Sequence, residues 1–210
     1  MKTEILSADH PIVLQRAADI LSNGGLIAFP TDTVYGLAAL PFKPEYVECL
    51  YTVKGRNSDR AIAILLGEES QLTSIAPDIG ATASRLSKSF WPGPLTLVVP
   101  KLASLPAVLS PNPTIGVRIP DHPVALALLK FIGPLAVTSA NLSGQPNCRT
   151  AREVYRQLGG RIHLILDGGQ SPGGIPSTVV DCTGPELRLI REGPVSLQEL
   201  VNALENPQKT

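Results

Sequence analysis

The stretch that decides the fold is GGLIAFPTDTVYGL, residues 24–37, in which an apolar run is followed directly by a dense group of polar side chains. The two glycines predict the end of a helix, and the run at 26–29 predicts a short buried strand. Pro30 ends that strand because its ring removes a backbone donor. Polar residues 31–35 therefore lie at a strand end, where binding and catalytic groups concentrate. Taken alone, the stretch also fits a hydrogen-bonded turn with no further role.

The rest of the chain alternates between helical and strand-like patterns. Helices are predicted near 11–22, 44–53, 77–90, 123–131, 151–158 and 196–204. Strands are predicted near 25–29, 61–66, 95–99, 114–119, 135–138, 163–166, 177–181 and 187–190. Several strands follow one another without a helix between them, so the order predicts a mixed α/β sheet, twisted and partly closed around a cleft, with flanking helices.

The composition is that of one aliphatic globular domain. Of the 210 residues, 43% are hydrophobic and only 4% aromatic, and 18 Lys and Arg balance 18 Asp and Glu. This balance excludes a global positive field that would capture nucleic acid. No linker or internal repeat is visible, so we expect a single catalytic domain over 1–210. Its core is expected over about 10–192 and its C-terminal helix over about 196–204.

Cysteine, histidine and hydropathy patterns exclude several classes of protein. The three cysteines and three histidines are scattered without ligand spacing, so we expect neither a disulfide framework nor a metal site formed by the protein. No apolar run is long enough to cross a membrane, and the first residues lack the hydrophobic region of a signal peptide. We therefore expect a cytoplasmic protein that makes no membrane contact.

Two further polar clusters follow predicted elements. KGRNSDR at 54–60 offers three cations, and TSANLSG at 138–144 offers hydroxyls and an amide. Arginine forks and a lysine point charge suit the oxygens of a triphosphate. A solvated turn at 54–60, and capping of the next element by 138–144, are the alternatives that these residues leave open.

A second pair of clusters lies on predicted strands. Thr114 and Arg118 are four residues apart, so both point to the same face of a strand, and a buried arginine there needs an anion. The segment GIPST at 174–178 precedes another strand, and Arg191 closes the last one. Together these groups predict a cleft that is rich in hydroxyls and guanidinium groups.

Standard nucleotide-binding and hydrolase signatures are absent. No G-x-x-x-x-G-K-[ST] occurs, and no G-x-G-x-x-G opens a helix. The G-x-S-x-G match at 169–173 has a proline after its serine and no histidine later in the chain, which excludes a serine hydrolase. Any ATP must be held by a different cradle.

Seven motifs, in order, resemble the YrdC family of threonylcarbamoyl-AMP synthases: PTDTVYGL, KGR, WPGPLTLVV, PTIGVRIPDHP, TSANLSG, PSTVVD and IREG. The resemblance implies a YrdC-like twisted, mixed and mainly parallel sheet around a concave, positively charged cavity. It implies an L-threonylcarbamoyladenylate synthase that joins L-threonine, bicarbonate and ATP and releases pyrophosphate. This reaction is the first step in forming N6-threonylcarbamoyladenosine (t6A) at position 37 of tRNA.

The resemblance also implies roles for individual residues. Lys54 and Arg56 are implied as catalytic. ATP contacts are implied for Lys54, Arg56, Arg60, Thr114, Ser139, Asn141, Asn147 and Arg191, with Asn141 positioning either its loop or the nucleotide. Threonine contacts are implied for Thr33, Arg118 and Ser177, with Arg118 as the partner of the carboxylate. Mg²⁺ is expected with ATP rather than in a protein site, and Asp32 is the one weak candidate ligand.

The implied partners are ATP, L-threonine, bicarbonate and a separate tRNA threonylcarbamoyl transferase complex that receives the intermediate, with weak RNA binding left open. The chain resembles the short, single-domain form of the family. It departs from the family pattern at Ala61-Ile62 and at Leu65, where many members carry a histidine that contacts threonine a few residues after the KGR loop. The departure puts the affinity for threonine in question more than the reaction class.

Two other functions remain as alternatives. The first is a carbamoyl-adenylate-forming enzyme of the same fold, as in hydrogenase-maturation carbamoyltransferases, which carry cysteine-rich zinc modules that this chain lacks. The second is a non-enzymatic RNA-binding module, against which the balanced charge and the few aromatic residues count.

Overall fold

A single mixed sheet with helices on both faces forms the protein, and the computed structural model describes residues 1–57 and 59–205. The strands are β1 (Glu4–Ser7), β2 (Ile27–Phe29), β3 (Gly36–Ala39), β4 (Ala63–Leu65), β5 (Leu95–Pro100), β6 (Thr114–Arg118), β7 (Leu135–Ser139), β8 (Leu164–Asp167), β9 (Thr178–Asp181) and β10 (Arg188–Arg191). The helices are α1 (Val13–Ser22), α2 (Pro44–Lys54), α3 (Gly80–Phe90), α4 (Pro123–Ile132), α5 (Ala151–Leu158) and α6 (Leu197–Glu205). None of these helices is long and apolar enough to cross a membrane.

The described strands are ordered β1-β8-β2-β3-β7-β4-β6-β5-β9-β10 in the sheet. The predicted mixed α/β sheet with flanking helices is confirmed. Four of its described pairings are parallel and five antiparallel, so the parallel share is smaller than expected. Strand β3 accounts for much of the difference, since it is antiparallel to both β2 and β7. The connection at 30–35 is too short for the crossover that a parallel pair requires.

All the predicted helices and strands are present, and two strands, β1 and β3, are not predicted. Strand β3 consists of glycine, leucine and two alanines, a composition with little preference for strands. The helix expected from 77 begins instead at Gly80. Asp78 Oδ1 accepts a hydrogen bond from the Gly80 N–H at 2.9 Å, and Gly80 has a left-handed φ of 74°, so the chain turns here before the helix starts.

Helices cover the two faces of the sheet unevenly. Helices α1 and α4 pack on one face, against β2 and β8. Helices α2, α3, α5 and α6 belong to the larger core on the other face, with Ile64, Leu97, Val117 and Ala136. Because successive strand residues point to opposite faces, the neighbours of these four point to the α1 and α4 face. There they line an open cavity: residues 63, 65, 96, 98, 116, 118 and 137.

Candidate functional site

The cavity has a volume of about 640 Å³ and is lined by residues of β3, β4, β5, β6, β7, β9 and β10 and of their connecting loops. Seven of the predicted site residues line it: Thr33, Arg56, Arg60, Arg118, Ser139, Ser177 and Arg191. The other four do not: Lys54, Thr114, Asn141 and Asn147. Its described lining contains four arginines and no carboxylate. The positive charge expected of this cavity stays a prediction, which the four arginines support.

Arg118, at the end of β6, is only 4% exposed, and it borders the cavity. Its Nε donates to the Gly93 carbonyl at 2.9 Å, its Nη1 to Thr33 Oγ1 at 3.1 Å, and its Nη2 to the Asp32 carboxylate. Burial lowers the pKa of Arg118, and the nearby Asp32 carboxylate opposes that shift. Three of the five guanidinium N–H groups are thus used within the described part of the chain, and the other two have no acceptor there and can bind a ligand.

Asp32 is the residue that the sequence suggests as a weak metal ligand. Its Oδ1 pairs with Arg118, and its Oδ2 is buried without a hydrogen-bond partner in the described part of the chain. Over residues 1–57 and 59–205, no three His, Cys, Asp or Glu side chains lie close enough to hold a metal ion. A guanidinium in contact with the carboxylate repels a cation, so Asp32 is a poor ligand for Mg²⁺ in this arrangement.

A pair of hydroxyls, from Thr96 on β5 and from Ser177 immediately before β9, lies near Arg191. The two oxygens are 2.8 Å apart. Arg191 donates to the Ser177 carbonyl at 3.0 Å from Nε and 2.8 Å from Nη2, and to Ser177 Oγ at 3.1 Å. Burial lowers the pKa of Arg191, and the positive charges of Arg118 and Arg56 lower it further. The guanidinium groups are therefore close enough to repel one another, which favours a bound anion.

Arg56 contributes another fixed cation. Its Nη1 donates to Thr138 Oγ1 at 2.9 Å and its Nη2 to the Ala61 carbonyl at 2.9 Å. Its Nε is buried without an acceptor among the residues that the structure describes, and burial lowers its pKa. Within the same residues, no carboxylate forms an ion pair with Arg56, Arg60 or Arg191.

The model of the family Sua5_yciO_yrdC, which is described as "Telomere recombination", matches residues 19–193. This match covers most of the chain. The chain belongs to the Sua5/YciO/YrdC family.

Two curated members of the family, the threonylcarbamoyl-AMP synthases of Bacillus subtilis and Vibrio cholerae, are 40% and 37% identical to this chain. The alignments cover 94% and 86% of this chain, and 58% and 97% of the two relatives. The solved structure of Pyrococcus abyssi Sua5 complexed with L-threonine has a TM-score of 0.88 and 39% identity, and the match covers 91% of this chain and 57% of that chain. This chain thus spans little more than half of the B. subtilis and P. abyssi proteins.

Lys54, of the K-x-R motif, lies outside the cavity lining, and its predicted catalytic and ATP-binding roles stay predictions. It is 3% exposed, and its Nζ donates to the carbonyls of Ser139 and Asn141 instead of reaching the cavity. Gly55, with a left-handed φ of 58°, ends α2 between Lys54 and Arg56. Burial lowers the pKa of Lys54 to about 8, and Arg56 adds to that shift. In this geometry Lys54 holds the 138–144 segment in place and does not contact the contents of the cavity.

Three other predicted site residues, Asn141, Thr114 and Asn147, also lie outside the cavity lining. Asn141 Nδ2 donates to the carbonyls of Leu142 at 2.9 Å and Gln145 at 2.7 Å, bonds that support a position for Asn141 within its own loop. A contact with the nucleotide stays a prediction. Thr114 opens β6 on the predicted face, beyond the lining. Asn147 comes shortly after the loop that contains Asn141, and it also lies outside the cavity lining.

Several lining residues are not among the predicted site residues. Thr31, Thr96 and Thr138 also line the cavity. Thr96 and Thr138 lie within motifs that carry the family resemblance. Thr96 follows a proline-rich segment and Thr138 follows an apolar, strand-like run, and these positions are the sequence features that indicate a place in the site. Leu65, at the position of the family departure, lies in the lining as an apolar side chain. Residue 58 of the predicted 54–60 cluster lies outside the described residues.

Proposed function

We propose that this chain synthesises L-threonylcarbamoyladenylate from L-threonine, bicarbonate and ATP, with release of pyrophosphate. The observation that carries the proposal is a cavity lined by four arginines and by hydroxyls, without a carboxylate in its described lining. The names of the family members from B. subtilis and V. cholerae support the reaction class. The enzyme is a nucleotidyltransferase, because the adenylyl group of ATP moves to a carbamate. The product is the activated intermediate for t6A in tRNA.

The reaction requires positive charge at fixed positions. The threonine amine and bicarbonate give a carbamate and water, and a carbamate oxygen then attacks the α-phosphorus while pyrophosphate leaves. Negative charge builds up on the phosphate oxygens, and cations that are already in position stabilise it without reorganisation. Arg56, Arg60 and Arg191 supply those cations. Arg56 is held in place by Thr138 and by the Ala61 carbonyl.

Arg118 is placed to bind the amino acid. Its two remaining N–H groups suit a carboxylate, which a guanidinium holds in a fixed direction. Thr33 and Ser177, which contact Arg118 and Arg191, add hydroxyls to the same region. A carboxylate fixed in this way sets the direction of the amine, so that carbamate formation and attack on ATP follow from orientation.

Magnesium enters as part of the substrate MgATP in this proposal. Asp32 is paired with Arg118, and the other cavity donors are hydroxyls and guanidinium groups, so the described lining offers no carboxylate cage for a hard cation. After synthesis, the adenylate leaves for a separate transferase complex that acts on tRNA.

Pyrophosphate release by the purified protein tests the proposal. We expect release only when L-threonine, bicarbonate and MgATP are all present, and we expect mass spectrometry to detect the threonylcarbamoyl adenylate. Arg56→Met is expected to lower turnover at least about tenfold, since a loss of about 1.4 kcal/mol of transition-state stabilisation has that effect. Arg156→Met, at an exposed arginine of α5, is the matched control and is expected to retain wild-type turnover.

Three results would contradict the proposal. Pyrophosphate release that does not depend on threonine would indicate a different carbamoyl or phosphate acceptor. Wild-type turnover in Arg56→Met would exclude Arg56 as a phosphate ligand. Salt-sensitive binding of RNA by a protein that turns over no substrate would favour the RNA-binding module.

A further inference from the structure

Thr96 lines the cavity and is not among the residues proposed to bind ATP or threonine. It is 4% exposed, and its Oγ1 lies 2.8 Å from Ser177 Oγ. A Cβ on Gly116 would lie only 3.1 Å from Thr96 Cγ2, so the absence of a side chain at 116 leaves room for the Thr96 methyl group. The methyl group thus packs over Gly116, and the hydroxyl is turned toward Ser177.

The Thr96–Ser177 hydroxyl pair has one proton that can be donated to a ligand. The pair carries two protons, and the bond between them uses one. Arg191 Nη2 donates to Ser177 Oγ at 3.1 Å. When Thr96 donates to Ser177 as well, both lone pairs of the serine oxygen are occupied, and the serine proton needs an acceptor elsewhere. Both residues line the cavity, so this proton is available to a ligand there.

Thr96, the partner of Ser177 in this pair, lies beside Arg118. Strands β5 and β6 pair antiparallel, with Leu97 opposite Val117 and Val98 opposite Gly116, and the next position in this register places Thr96 opposite Arg118. Side chains opposite one another in an antiparallel pair have Cβ atoms about 4.5–5.5 Å apart. The region therefore combines a hydroxyl donor with the two free N–H groups of Arg118. Such a set of donors suits an anionic oxygen.

We propose that Thr96 is a positioning residue for the amino-acid substrate: its hydroxyl directs the proton of Ser177 to the carboxylate that Arg118 binds. A phosphate of ATP presents the same kind of anionic oxygen, but the position of Thr96 opposite Arg118 favours the carboxylate. The inference rests on the proposed function, because it assigns this donor set to the amino acid of that reaction.

A double-mutant cycle tests the inference. Steady-state constants are measured for the wild type, Thr96→Val, Thr96→Ser, Ser177→Ala and Thr96→Val/Ser177→Ala. We expect Thr96→Val to raise the KM for L-threonine about tenfold, as for loss of a hydrogen bond to a charged group, with kcat and the KM for ATP changed less than about twofold. Thr96→Ser restores the wild-type KM. The double variant is expected to bind threonine no more weakly than Ser177→Ala.

Direct binding separates this inference from the proposed function. Calorimetric titration with L-threonine alone is expected to show the same loss of affinity in Thr96→Val and its recovery in Thr96→Ser, even if the wild type releases no pyrophosphate. Thr52→Val is the control, since Thr52 Oγ1 bonds to the Glu48 carbonyl of its own helix, away from the cavity. If Thr96→Val does not fold, as judged by circular dichroism, Thr96→Ala carries the same prediction.

Other results would overturn the inference. A rise in the KM for ATP alone would show that the hydroxyl pair faces a phosphate. Unchanged threonine affinity in Thr96→Val, or effects of Thr96→Val and Ser177→Ala that simply add, would show that Thr96 does not act through Ser177.

Discussion

Two buried cations, Lys54 and Arg118, stabilise the segments around the cavity. Arg118 lines the cavity, and Lys54 lies outside its lining. Each is bonded to oxygens of the protein: Lys54 to two backbone carbonyls, and Arg118 to Gly93, Thr33 and Asp32. Burial of a charge is tolerated only with such bonds. The two differ in what remains free, since Arg118 keeps two donors for a ligand and Lys54 does not reach the cavity.

The structural role of Lys54 predicts a loss of stability when its charge is removed. We expect Lys54→Met to lower the free energy of unfolding by about 3 kcal/mol, because two buried carbonyls lose a charged donor. The folded-state pKa of Lys54 is lowered to about 8, whereas a lysine in the unfolded chain titrates near about 10.4. Between these values the unfolded chain binds more protons, so the stability of the wild type relative to Lys54→Met is expected to increase as the pH rises from about 8 to about 10.4.

Urea unfolding at several pH values measures this difference. Lys88→Met, at an exposed lysine of α3, is the control and is expected to change the stability by less than about 0.5 kcal/mol. A Lys54→Met protein as stable as the wild type at neutral pH would contradict the structural role. A stability difference that shrinks as the pH rises above 8 would contradict the lowered pKa.

Residue identity alone could not separate Lys54 from Arg56. Both are cations in one K-G-R motif, and the sequence assigns both to phosphate. Their side chains diverge because α2 ends at Lys54, and Gly55 takes a left-handed conformation that changes the direction of the chain. The sequence also gives no sign of the contact between Thr96 and Ser177. Thr96 lies within an apolar strand, and its hydroxyl meets Ser177 only because β5 and β9 pair in parallel.

At the scale of elements, α5 supports the loop that contains Asn141. Thr150 Oγ1 accepts from the Glu153 N–H at 3.2 Å, and Glu153 Oε2 accepts from the Thr150 N–H at 3.2 Å, which completes a capping box at the start of the helix. Later in the helix, Gln157 Oε1 accepts from the Leu142 N–H at 2.9 Å. The position of this loop thus depends on a helix that begins with a strong local signal.

The capping box predicts a modest structural effect. We expect Thr150→Ala to lower the free energy of unfolding by about 1 kcal/mol, because the first turn of α5 loses a side-chain acceptor. Thr150→Ser keeps the acceptor and serves as the matched control, with near wild-type stability. Thermal or urea unfolding measures both variants, and equal losses in the two would show that the cap does not act through its hydroxyl.

The strands show where local patterns were sufficient. Eight of the described strands follow from short apolar runs beside turn residues. Strand β3 does not, because its small residues have little strand preference, and it forms only through pairing with β2 and β7. Strand β1 forms by pairing with β8, far away in the sequence, a contact that no local window contains.

For the whole molecule, the uneven covering of the sheet creates the cavity. Helices α1 and α4 cover one part of a face, and the part over β4, β5, β6, β9 and β10 is left for arginines and hydroxyls from separate segments. Arg56 and Arg60 meet Arg118 and Arg191 there, although more than 130 residues separate the first from the last.

This arrangement predicts two separable ligand effects on stability. Binding to the folded state raises the free energy of unfolding, by about 2.7 kcal/mol at a ligand concentration of about 100 times Kd. We expect MgATP and L-threonine each to raise the melting temperature of the wild type. Arg56→Met is expected to lose most of the shift with MgATP and to keep the shift with L-threonine, because Arg118 and its partners are intact.

Thermal unfolding with each ligand alone measures these shifts, and Arg156→Met is again the control. Loss of both shifts in Arg56→Met would show that the two ligands do not occupy separate parts of the cavity. No shift with either ligand in the wild type would contradict binding in this cavity.

The sequence by itself determined the helices, eight of the strands, the mixed sheet, the strand ends that carry polar groups, and the family, because each follows from short patterns and ordered motifs. Only the tertiary structure decided which of those groups share the cavity. It placed Lys54 and Asn141 outside the cavity lining, paired Asp32 with Arg118, and brought Thr96 to Ser177. The reason is physical: the direction of a side chain depends on strand register, helix ends and long-range pairing, which distant parts of the chain set together.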